Sequence, residues 1–94
     1  RLVSHPHEPP YHQVIHNEEA LIHHLSTTFD LYGAEILVLE CGVAIVNASI
    51  EDTLYRLHRG VEIKSQAGFI AAMARRMARA YRVRQKARAQ GKES

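Results

Sequence analysis

At 94 residues and a formal net charge of +2, with 46% hydrophobic and 23% charged side chains, the chain has the composition of one small soluble domain rather than of a disordered chain or two domains. A chain this short buries only about 60–65% of its unfolded surface, which leaves a modest core, gives docking on a partner a share in stability, and leaves little room for a deep catalytic cleft. A single cysteine, Cys41, excludes an internal disulfide and a cysteine-held zinc, so a reducing, intracellular compartment is expected.

The longest apolar runs, residues 34–50 and 67–74, are interrupted or followed by Glu35, Glu40, Asn47 and the arginines after Ala74, so no membrane span or signal peptide is expected. A start at Arg1 rather than methionine predicts a further segment ahead of it. Charge is unevenly spread. Residues 1–68 carry four basic groups against nine acidic ones, a net of −5, whereas residues 69–94 carry eight basic groups against Glu93 alone, a net of +7. Such an acidic body with a basic arm marks a tail that meets phosphate. Seven of the eight bases, Arg75, Arg76, Arg79, Arg82, Arg84, Lys86 and Arg88, crowd into one stretch, and six are arginines, whose planar fork suits phosphate.

Taken in order, residues 1–10 hold Pro6, Pro9 and Pro10 and no periodic pattern, which predicts an extended proline- and histidine-bearing arm. Residues 11–15 read as a short strand with Val14 and Ile15 buried. Asn17 is a helix N-cap, Glu18 and Glu19 suit the positive end of the helix dipole, and Leu21, Leu25, Phe29 and Tyr32 share a face up to a C-terminal Gly33. Residues 35–41 form a continuous apolar run, expected to be a central strand covered on both faces. After Gly42 a helix runs from Val43 to His58 and is closed by Gly60. Its stripe of Val43, Val46, Ile50, Leu54 and Leu57 is flanked by Ala44, Ile45 and Ala48, an arc wider than one sheet face requires. Residues 61–65 alternate as a third strand with one wet face. From about Phe69 to Gln90, Phe69, Met73, Met77 and Tyr81 recur at steps of four, with Arg75, Arg79, Arg82 and Lys86 on the opposite face, and alanines favour helix throughout. The expected architecture is therefore an α/β two-layer βαβαβ sandwich over residues 11–67 with a long basic amphipathic helix and tail over residues 68–94.

The middle segment resembles the Alba family of small dimeric DNA- and RNA-binding proteins, which includes ribonuclease P subunits. Gly33-Ala34, the apolar residues 36–39, then Gly42, Ala44, Ile45 and Ala48 stand where that family has a Gly-Ala pair, its second strand and a glycine-x-Ala-Ile-x-x-Ala signature leading into the second helix. The likeness spans roughly residues 11–66. It implies a strand-rich sandwich, nucleic-acid binding and pairing with a homo- or hetero-dimeric partner. The chain departs from the family where it would meet phosphate: His16-Asn17-Glu18-Glu19 replaces a lysine-rich loop, and Val43 replaces a basic residue after the glycine.

Catalysis and metal binding find little support. Of seven histidines the pair four apart, His12 and His16, flanks the expected strand rather than sharing a helix as a zincin requires, and His16 beside two carboxylates has no nucleophile, oxyanion element or glycine-rich phosphate loop to work with. No cofactor or metal is expected, and Cys41 reads as a small core hydrophobe. The expectation is a non-catalytic structural subunit of a ribonucleoprotein, a ribosome (organellar, as in mitochondria, or cytoplasmic) or a ribonuclease P-like particle. Its acidic body docks on protein through Val43, Val46, Ile50, Leu54, Phe69, Met73 and Met77, and its basic helix crosses RNA phosphates. The alternatives are a protein-only adaptor, an Alba-like half of a heterodimer, and a basic membrane-surface helix, the last weakened by the scarcity of bulky apolar side chains on the basic stretch.

Overall fold

The computed structural model describes residues 12–92, so the arm expected over residues 1–10 lies outside the described residues. Four helices follow one another: α1 (Glu18–Thr28), α2 (Ala34–Cys41), α3 (Val43–His58) and α4 (Gln66–Lys92), and no strand occurs among the described residues. The expected βαβαβ sandwich is overturned, and with it the Alba-type fold that the resemblance implied.

α1 begins as its sequence requires. Asn17 Oδ1 accepts from the Ala20 N–H at 2.8 Å, and Glu18 and Glu19 occupy the first turn, where orphan N–H groups concentrate positive potential. Leu21 and Leu25 are fully buried. The helix stops earlier than expected, because Asp30 rather than Gly33 takes the left-handed turn (φ 55°), which a short polar side chain tolerates. Tyr32 is consequently off the helix and fully exposed.

The supposed central strand is α2. Ala34, Leu37, Val38 and Cys41 are buried at intervals of three, one and three, the stripe of a helix, whereas Glu35, Ile36, Leu39 and Glu40 face outward. Gly33 (φ 78°) opens this helix. Gly42 (φ 95°) separates it from α3, so the glycine aligned with the family signature joins two helices instead of a strand and a helix.

α3 keeps the limits read from the sequence. Its buried face carries three polar residues, each internally satisfied: Ser49 Oγ donates to the Val46 carbonyl (2.8 Å) and Thr53 Oγ1 to the Ser49 carbonyl (2.7 Å). The third, Asn47, ties down the chain before α1. Its Nδ2 donates to the Ile15 and Val43 carbonyls (3.0 and 2.8 Å), and its Oδ1 accepts from the Ile15 N–H (2.9 Å). With both amide hydrogens committed, Oδ1 faces the Nε2 of buried His12 at 2.8 Å, which makes that ring nitrogen the donor. Residues 12–16 are thus held by one side chain rather than by a sheet, and Val14 is half-exposed instead of buried.

The third expected strand, residues 61–65, is a connection that ends in a cap: Ser65 Oγ accepts from the Gly68 N–H at 3.0 Å and starts α4 at Gln66. A Cβ on Gly68 would come within 3.1 Å of that hydroxyl, so glycine suits the position. α3 packs along α4, and α2 sits centrally against α1, α3 and α4. Ile70, Ala74 and Ala78 are the α4 side chains that enter the core, one position round from the expected seam. Phe69, Met73 and Met77 are partly buried at its edge, and Tyr81 is half-exposed. The first half of α4 therefore belongs to the core.

Candidate nucleic-acid interface

α4 is about 40 Å long at 1.5 Å per residue, against transverse dimensions of 31 and 27 Å and a long axis of 49 Å for the molecule. Its first half is held by α2 and α3. From Tyr81 to Gly91 every side chain is exposed. The alanine-rich packing edge ends at Ala78, and beyond it α4 projects as a rod whose charged positions are all basic up to Lys92. Cations near a helix C-terminus also favour the negative end of its dipole, which supports Arg88 on structural grounds alone.

All seven of the expected phosphate-binding residues are exposed on this one helix. Arg75, Arg79, Arg82 and Lys86 form one stripe about 16 Å long along the axis, while Arg76, Arg84 and Arg88 point elsewhere round the helix. Only Arg75 has a carboxylate partner among the described residues: its Nε donates to Glu40 Oε1 at 3.3 Å. Both side chains are about half-exposed, so the pair adds little to stability and is open to exchange for another anion. Arg75, Arg79 and Arg82 also line a cleft of about 380 Å³ between α2 and α4, with Glu40, Ala78 and Cys41 completing the wall. Burial pushes the Cys41 thiol up, partly offset by Arg75 and Arg82, so the group is a neutral thiol rather than a nucleophile. The cleft can accept an anion from three guanidinium groups.

The expected protein-docking residues fare differently. Val46 and Ile50 are fully buried in the chain's own core, and Val43 and Leu54 pack against it. The wide apolar arc of α3 is covered from within, by α4 and α2, and its centre is closed to a partner. Two features escaped the sequence reading. Asn47 lies in the middle of an apolar stripe, and a polar residue at such a position signals a buried clamp. The outward Ile36 and Leu39 of α2 were hidden because a continuous apolar run does not reveal which of its residues face out.

Histidines gather at the N-terminal side. His12, His16 and His24 line a groove of about 670 Å³ with Phe29 and Leu54. The His12 and His24 rings lie 5.8 Å apart, and Phe29 meets His24 edge-on at 5.6 Å. Burial, reinforced by His12 and His23, holds His24 below the ordinary imidazole pKa of 6.5. No group of three histidine, cysteine or acidic side chains is placed to hold a metal among the described residues, and His5 and His7 lie outside them. No helix among the described residues is long and apolar enough to cross a membrane. No protein-family model, curated protein or solved structure matches the chain.

Proposed function

We propose that the chain is a non-catalytic RNA-binding subunit of a ribonucleoprotein, with the projecting half of α4 laid along RNA phosphates and the four-helix body acting as its support. One observation carries this reading: between Arg75 and Arg88 an exposed helix bears seven cations and no acid, and only the first of them is engaged by a carboxylate among the described residues. Core packing does not require this arrangement, since the side chains from Tyr81 to Gln90 are exposed and none enters the buried core. Condensed counterions released from RNA supply the driving force for such contacts.

Fluorescence anisotropy with a labelled single-stranded RNA tests the reading. A four-residue stripe predicts that log K falls with log salt at a slope of about −3. Substituting Arg75, Arg79 and Arg82 with glutamine flattens that slope, and deleting residues 81–94 abolishes retention. RNA binding that is unchanged by the deletion ends the proposal. Co-sedimentation of the full chain with ribosomal particles, organellar or cytoplasmic, against a ribonuclease P-like particle then assigns the assembly.

A further inference from the structure

α2 is apolar on both sides. Its Ala34, Leu37, Val38 and Cys41 face the core, yet Ile36 and Leu39 stand 56% and 78% exposed on the other side, with Tyr32 fully exposed just ahead of the helix. Glu35 and Glu40 flank this outer apolar strip, and a helix with apolar strips on opposite faces belongs between two neighbours, whereas the outer strip here is exposed. Ile22 of α1 adjoins Ile36 and Leu39, and Glu18, Glu19 and Glu35 complete a groove of about 380 Å³. The acidic rim makes the groove a poor match for itself, because two copies face to face would bring like charges together. Its complement is a helix with a small apolar strip flanked by cations. This chain carries one on the projecting half of α4: Val83, 66% exposed, and Ala87 one turn further, bordered by Arg76, Arg79, Arg84 and Lys86.

We infer that the α1–α2 groove receives the projecting half of α4 from a second copy of this chain. Ile22, Ile36 and Leu39 close over Val83 and Ala87, the small alanine allowing close approach, while the arginines meet Glu18, Glu19 and Glu35. Arg76, Arg79, Arg84 and Lys86 also belong to the proposed RNA-binding set, so RNA and a second copy would compete for the same cations; association measured without nucleic acid tests the contact separately from RNA binding, and either can fail alone.

The test is the mass of the full chain, freed of nucleic acid, by sedimentation and light scattering. Association is expected at about 50 mM salt, as a closed pair or a longer head-to-tail chain, and is lost toward monomer at about 500 mM as the charges are screened. Leu39→Arg and Val83→Glu each weaken it by about tenfold or more. An equimolar mixture of the two variants associates again, because the unaltered rod of the first fits the unaltered groove of the second. Both replaced side chains are exposed, so each variant keeps the parent's far-ultraviolet circular dichroism. A chain that is monomeric at every salt and concentration overturns the inference. So does association insensitive to Val83→Glu, which leaves the groove to some other occupant, or a mixture that stays monomeric.

Discussion

α2 and the last eleven described side chains of α4 are both helical, yet nothing that supports one supports the other. The eight residues of α2 are too few to hold a helix in water, and its first turn has no side-chain cap. It exists because Ala34, Leu37, Val38 and Cys41 are sealed against the other three helices. Residues 81–90 have exposed side chains, and none of these enters the buried core. They continue a helix already nucleated in the core, and Arg, Lys, Gln and Ala are all strong helix formers. The contrast is one of stability: the body can lose little without unfolding, whereas the rod can be rewritten with the body intact.

The sharpest way to break this comparison is to cut into the core. Ile50→Ala should cost about 2–5 kcal/mol in chemical denaturation, whereas Val83→Ala should change stability by less than about 0.5 kcal/mol. Equal costs at the two sites would erase the distinction. Next in size is Asn47→Leu, which strips the clamp from Ile15 and His12 and leaves buried backbone groups unpaired, a loss of about 1–3 kcal/mol. Hydrogen exchange should then speed up first at the amides of residues 13–16.

A smaller effect is expected from acid. His24 is harder to protonate in the fold than in the unfolded chain, so the unfolded state binds the proton more readily once pH falls. Its contribution is complete above the ordinary value of 6.5 and declines as pH drops below that toward the folded-state pKa. Urea midpoints measured from pH 7.5 to 5 should show the decline, and His24→Phe should reduce it. The smallest change in global stability belongs to the rod: Lys86→Pro should remove helical signal beyond the break while the unfolding midpoint of the body stays where it was. A shifted midpoint would mean that the rod is packed on something in its own chain.

How much of this could be read from residues alone differs along the chain. Asn17 with two acids behind it, the stripe through Val46 and Ile50, and the alanine-rich basic stretch located three helices, because capping and a long apolar period are local signals that survive in any tertiary setting. The cluster from Arg75 to Arg88 was equally legible, since counting charge needs no fold, and the structure collects all seven on one exposed helix. Residues 35–41 and 61–65 misled for the same reason in two forms. A short apolar or alternating run is compatible with strand or helix until something decides which of its sides are covered. The cover expected on both faces of residues 35–41 is present on one only, since Ile36 and Leu39 stand exposed. Val46 and Ile50, expected at a docking face, lie in the chain's own core, because a wide apolar arc does not say whether its cover comes from the same chain.

Composition and order of residues by themselves determined a cationic helix at the C-terminal end and a capped helix at Asn17, because helix propensity and capping rest on interactions within a few residues. The tertiary structure alone decided that the intervening segment is α2 rather than a strand, that Asn47 would be a clamp, and that α4 would leave the body after Ala78. Those outcomes depend on which surfaces, distant in sequence, exclude water from one another, and no local pattern contains that information.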